Sequence, residues 1–251
     1  MNASEFLKSL VIPEPQEYAK LTANVASAQV ESAQTAATDG NAKSAQINVG
    51  CLCVFSEGLT VQNKSDVMNS TLLAQLSANQ SFDRFAAPMD WYNYYINLLG
   101  NIGWNIPAWS NQTIPETSPM NWEEAVLRTM ASIETGDAMA LAKAGMKATQ
   151  GLESNSKGMK IWSANSSSET NGNFQIMPVM PMNGTVVAVT SGIHFQSTMS
   201  QGAFLSWSMN FAIQGGCVKA ELNEDIYSKV RQQIIDKIGN RAMTNVADIP
   251  F

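Results

Sequence analysis

Asn183-Gly184 lies between two apolar runs, FQIMPVMP (174–181) and TVVAVTSGIHFQS (185–197). Both residues tolerate the positive φ angles of a type I′ turn, so the runs read as the arms of a β-hairpin. Further on, FLSWSMNFAIQ (204–214) places Leu205, Trp207, Met209, Phe211 and Ile213 at alternate positions, with Ser206, Ser208 and Asn210 between them. Gly215-Gly216 and CVKAEL follow, adding further antiparallel strand. A period of two commits this half of the chain to a sheet with an apolar face, and something must cover that face. Residues 204–214 are also about as long as a tilted membrane-spanning strand, so the cover is expected to be either helices or lipid. Pro178 and Pro181 point to an edge position for 174–181.

The first half carries the helical period. SDVMNSTLLAQLSANQ (65–80) offers Ser65 or Asp66 as N-cap and puts Met68, Leu72 and Leu76 on one face. PMDWYNYYINLLGNIGW (88–104) has a stripe of Trp91, Tyr95, Leu98 and Ile102. Asn121 and Glu124 have the spacing of a capping box ahead of Val126, Met130 and Ile133, and Asp137 opens a further helix carrying Met139, Leu141 and Met146. NVGCLCVF (48–55) and MKIWS (159–163) read as short strands. LNEDIYSKVRQQIIDKIGN (222–240) reads as one helix, capped by Asn223, ended by Gly239, with Ile226, Val230, Ile234 and Ile238 along one face. The expected fold is α+β: an antiparallel β-sheet meander flanked by amphipathic helices in layers, formed by residues 48–251 as a single domain. Residues 1–47 form an Ala/Ser/Gln-rich arm whose segment 16–38 has a thin helical stripe.

Composition narrows the function classes. Charged residues make up 14% of the 251 residues, and 15 basic against 21 acidic side chains leave a net charge of −6. With no run of Lys or Arg, nucleic acid is not an expected partner. The opening MNASEFLKSLVIPEP lacks a basic n-region, and Lys8 interrupts its short apolar stretch. A Sec signal peptide is therefore not expected; the chain is expected to be cytoplasmic when made and to need another route for any release. The cysteines are Cys51, Cys53 and Cys217. The first two fall on the same face of a strand, too constrained to bridge each other; Cys217 could reach one of them, but three free thiols are the expected state.

Catalytic constellations are hard to build. His194 is the single histidine, on a polar strand face with Thr190 and Gln196, so an enzyme would have to be organised around it. A zinc site from Cys51, Cys53, Cys217 and His194 has the wrong spacing for the usual structural sites. Glu123/Glu124 and Glu224/Asp225 sit in first helical turns, where the helix dipole favours acids. GNIGW (100–104) lacks the lysine and the strand-to-helix setting of a phosphate loop. No catalytic residue, metal or cofactor is expected.

Aromatic residues are the more informative cluster. Trp91, Tyr92, Tyr94, Trp104 and Trp109 exceed what one helix stripe absorbs, with Tyr92 and Tyr94 pointing off it. Together with Trp207 and Phe211 they are the expected membrane or partner contacts. The chain's 14 methionines suit an adaptable contact surface as well as a core.

Four segments, DVMNSTLLAQLSANQSFDRF (66–85), WYNYYINLLGNIGW (91–104), ANSSSETNGNFQIMP (164–178) and LNEDIYSKVRQQIIDKIGN (222–240), resemble an uncharacterised family of soluble bacterial and fungal proteins over residues 48–251. That resemblance implies no catalytic residues. The order of elements is similar in outline to Cyt-type cytolysins, which surround an antiparallel sheet with helices. The expected function is a non-enzymatic, toxin-like protein that self-assembles and engages membrane lipid or a cell-surface target. The alternative is an interaction module forming a homo-oligomer through its aromatic and Met-rich surface; a third reading is an enzyme using His194.

Overall fold

The structure, a computed structural model, describes residues 2–13, 41–107, 109–114, 120–133, 136–168, 170–196 and 213–251. The helix expected at 16–38 lies outside these residues. So does strand 204–214 up to residue 212, and with it Trp207 and Phe211.

Helix α1 (Ala3–Ser9) precedes strands β1 (Ser44–Asn48) and β2 (Cys51–Phe55), helices α2 (Val61–Ser81) and α3 (Pro88–Asn101), and the short strands β3 (Trp104–Asn105) and β4 (Ser110–Ile114). Helices α4 (Trp122–Met130), α5 (Asp137–Gln150) and α6 (Lys157–Ser166) follow. The long strands come next: β5 (Ser167–Ser168), β6 (Asn171–Met182), β7 (Thr185–Gln196) and β8 (Ile213–Leu222). Helices α7 (Glu224–Tyr227), α8 (Arg231–Ile238) and α9 (Ala242–Asn245) lead into β9 (Val246–Ile249).

Among the described residues these strands form one sheet in the order β3-β8-β7-β6-β2-β1-β9, with β4 also on β8 and β5 on β6. The meander β6–β7–β8 is antiparallel, and Asn183 (φ 52°) and Gly184 (φ 80°) make its expected tight turn. β2 joins β6 in parallel, so the sheet is mixed. β6 is therefore central and not the edge strand its prolines suggested. Pro178 faces Val54 of β2, and the β7 ladder lapses between Ile176↔Ser191 and Val179↔Ala188, where a residue without an N–H is tolerated.

Period-two alternation sorts the sheet into two cores. Cys51, Cys53, Phe55, Met177, Val179 and Ala188 face α2, α3 and α8. Leu52, Val54, Phe174, Ile176, Val189 and Ile193 face α4, α5 and α6. The result is an α+β sandwich with one helical cover on each face.

Several boundaries differ from the sequence expectation, each for a local reason. Residues 48–55 are two strands, not one, broken at Val49-Gly50. Residues 44–47, placed in the arm, pair with β2 and β9; α1 also docks, burying Leu7 and Leu10 in the first core. MKIWS is helix, not strand: Ser156 Oγ accepts the Met159 N–H at 3.4 Å, and Gly158, Ile161 and Trp162 fall on one buried helical face. α2 starts earlier than Ser65, at a Thr60–Asn63 capping box. The Asn223 cap holds, but the helix beyond it is interrupted between Tyr227 and Arg231, so Ile226 is 41% exposed while Tyr227 is buried. The Asn121–Glu124 capping box forms as expected.

Candidate functional site

The candidate site is the β6–β7–β8 meander together with what holds each cover to it. On the first face the attachment is polar. Gln75 of α2 donates from Nε2 to the Asn48 carbonyl at 2.9 Å and accepts the Gly50 N–H at 3.2 Å, clasping the β1–β2 turn from both sides. Between those bonds Val49 takes φ 55°, where a β-branched residue is strained. Asn48 in turn donates to the Met68 carbonyl and Thr71 Oγ1 of the same helix.

Arg84 enters from the α2–α3 loop. Asp83 Oδ1 accepts the N–H groups of Phe85 and Ala86, closing a tight turn that sends Arg84 inward. Its guanidinium lies 4.5 Å from the Trp91 ring centre and against Gly50, where a Cβ would come within 2.5 Å of it. Trp91 stacks on Tyr95 at 5.4 Å. Beside them the Cys51 and Cys53 thiols are free, buried and 3.7 Å apart. Burial pushes the Cys51 thiol well up, Cys53 adds to the rise, and Arg84 opposes it. A thiol held protonated is a poor nucleophile.

Tyr92 ties α3 to the strands. Its hydroxyl donates to Asn173 Oδ1 at 2.8 Å and approaches the Phe174 carbonyl at 3.2 Å, while Asn173 Nδ2 donates to the Arg84 carbonyl. The Tyr92 ring stacks on Trp109 at 5.1 Å, and the two rings occupy the space over Gly192 and Gly216, which pair across β7 and β8. Burial raises the Tyr92 hydroxyl well above its ordinary value. Cross-strand from Asn173 and Gln214 stands His194, half-buried; desolvation lowers its pKa, and a backbone hydrogen bond with Gly172 partly opposes that.

The second cover is held chiefly by rings and close backbone approach. Trp122 meets Trp162 and Phe174 edge-on at 5.9 Å, and Phe174 meets Phe195 at 6.5 Å. Gly145 brings α5 onto Val54, and Gly158 brings α6 onto Ile249 and Ile47. Gln112 Nε2 of β4 donates to the Thr129 carbonyl of α4 at 3.0 Å, joining this cover to the sheet edge.

The aromatic cluster is therefore internal. Trp91, Tyr92 and Trp104 are 0%, 3% and 3% exposed, in place of the contact surface expected of them. α3 touches the sheet through Tyr92 and α2 through Trp91, whose Nε1 donates to Asn79 Oδ1, so it has two buried sides. Trp104 Nε1 reaches Ser70 Oγ. Tyr94 and Trp109 are half-buried, the former with its hydroxyl 3.2 Å from Ser77 Oγ. Gln75 and Arg84 were not singled out from the sequence. A polar residue inside the stripe of α2, and an Asp-Arg pair followed by Pro88, are the marks they leave. Among the described residues, no three His, Cys, Asp or Glu side chains gather as a metal site. No described helix is long and apolar enough to cross a membrane.

Fold and site together define a layered α+β protein whose long meander is closed between two helical covers. No protein-family model and no curated protein matches the chain, so the family expected over 48–251 finds no counterpart. Among solved structures it is similar to the Evf virulence factor, with TM-score 0.38 and 14% identity over 73% of this chain and 77% of that one. It is likewise similar to a delta-endotoxin, with TM-score 0.38 and 9% identity over 70% and 81% of the two chains. Both are loose likenesses of outline.

Proposed function

We propose that this chain is a non-enzymatic, toxin-like protein that acts at a membrane or cell surface, with the β6–β7–β8 meander as its membrane-active or assembling part. The observation that carries the reading is the central hairpin. β6 and β7 are 12 residues each, joined by a two-residue turn, and their side chains are buried on both faces. A tilted strand needs about 9–11 residues to cross a bilayer. Apolar contacts such as those under the second cover can be exchanged for lipid tails at little cost, because the tails are as apolar as the side chains they replace. The hydrogen-bonded clasp under the first cover has no such substitute, so the second cover is the one that leaves. Dye release from liposomes tests this: leakage is expected, and none across a wide range of lipids and pH contradicts it.

A second reading is a homo-oligomer. The aromatics are internal, but Val11, Ile235 and Met243 stand exposed on the α1, α8 and α9 side, a surface that favours self-association. Light scattering at micromolar concentration tests it, with a closed oligomer in the absence of lipid as the expected result.

A further inference from the structure

Between Asp137 and Glu169, two acids that bound the stretch, the chain carries Lys143, Lys147, Lys157 and Lys160 against Glu153, in a protein whose net charge is −6. The fold brings these lysines together. α5 packs on β2 and β6, and α6 packs on β1, β6 and β9, both over the same sheet face. Gly145 and Gly158 press the inner sides of the two helices onto the strands. The outer sides therefore share one side of the molecule, where Lys143, Lys147 and Lys157 are exposed and Lys160 is partly so. The acids around these lysines are Asp137 in the first turn of α5, Glu153 in the connection between α5 and α6, and Glu123, which accepts from Gln150 Nε2; Arg128 on α4 is exposed with Glu124 one turn before it.

We propose that this outer face of α5 and α6 is a docking surface for an anionic lipid bilayer, an inference that rests on the membrane reading above and names the lipid class and the face that meets it first. Two helices side by side in one layer present a broad face rather than a groove. The patch is built of lysines, point charges suited to dispersed headgroups, with Ala140, Ala144 and the half-buried Met159 between them. It offers no exposed aromatic ring for stacking on bases, since Trp162 is buried against the sheet. The attraction acts only within about 8–10 Å at physiological salt, short enough for the patch to be felt apart from the acidic remainder of the protein. Docking by this face lays the second cover directly on the lipid into which it is to be released.

The test is co-sedimentation of the full chain with phosphatidylcholine vesicles, with and without phosphatidylserine, at low and high salt. Binding is expected only with phosphatidylserine, and to weaken as salt rises. Each lysine removed should lower the partition coefficient about 5-fold. Lys143→Gln with Lys147→Gln, and separately Lys157→Gln with Lys160→Gln, should each weaken binding about 25-fold, while Lys229→Gln, on the opposite cover, should not. Equal binding to neutral vesicles, or full binding by both double variants, overturns the proposal. Binding to heparin as tight as to the charged vesicles overturns it too, by making the partner a soluble polyanion. Binding without dye release keeps this surface and removes the membrane-active meander; dye release indifferent to phosphatidylserine does the reverse.

Discussion

Asp66 and Arg231 form a two-pronged ion pair, with Arg231 Nε on Asp66 Oδ1 and NH2 on Oδ2, both at 2.8 Å. The Asp66 side chain is wholly buried and that of Arg231 23% exposed, so the pair welds α2 to α8 inside the first cover. Gln62 Nε2 and the Arg231–Glu224 bridge complete it, and the bond to Asp66 is the largest cause raising the Arg231 pKa. Arg231→Met strands a buried carboxylate and should cost about 3–5 kcal/mol. Replacing both partners with apolar residues should cost less than either single change. Urea unfolding midpoints of the three variants check the order.

Tyr92 depends on Gly192 in the same way that Arg84 depends on Gly50. A Cβ on Gly192 would lie 2.6 Å from the Tyr92 ring, so Gly192→Ala should destabilise by about 1–3 kcal/mol through overpacking. Tyr92→Phe keeps the ring and loses the bond to Asn173, costing about 1–3 kcal/mol by leaving a buried acceptor short of a partner. Calorimetry ranks the two, and near-UV circular dichroism should show the Tyr92–Trp109 stack disturbed in the alanine variant alone.

Acidity should weaken the fold through His194. Its folded pKa lies below the ordinary 6.5, chiefly by desolvation. Between the two values the unfolded chain holds more protons than the folded one, so stability rises with pH there. The contribution is complete above about 6.5 and is lost as pH falls through the folded pKa. His194→Gln should flatten the part of the slope just below neutrality, read from urea midpoints taken stepwise from pH 7.5 to 5.5.

The thiols of Cys51 and Cys53 should resist alkylation in the native state. Both are wholly buried, and burial holds the Cys51 proton on. Iodoacetamide labelling followed by mass spectrometry should show modification only at concentrations of urea that unfold the chain. Rapid native labelling of either thiol contradicts the packing of the first cover.

The helices were legible where apolar residues recur at the helical period, as in 65–80 and 88–104, and where an Asn cap announces the start. Residues 157–166 misled because Met159, Ile161 and Ser163 also alternate; the Ser156 cap carried the better signal. The break at Val49-Gly50 has only Gly50 as a local mark, since a valine is a poor choice for positive φ. It is imposed by Gln75, twenty-five residues on from Gly50. Prolines in β6 suggested an edge, but only pairing with β2 across the helices of the crossover decides where a strand sits. The aromatic surplus of α3 pointed outward as long as one buried side was assumed. It has two, because α3 lies against both α2 and the sheet.

On the proposed function, the second cover leaves the sheet when the protein acts on a membrane. A Cβ on Gly145 would lie 3.2 Å from the Val54 Cβ, a few tenths of an ångström inside the roughly 3.5–4.5 Å of a disulfide, so a small outward shift of α5 lets the bond close. Val54→Cys removes the methyl that would otherwise clash, on the sheet face opposite Cys51 and Cys53. Dye release by Val54→Cys/Gly145→Cys should be abolished when the pair is oxidised and restored by a reductant. Equal release in both states would contradict the account.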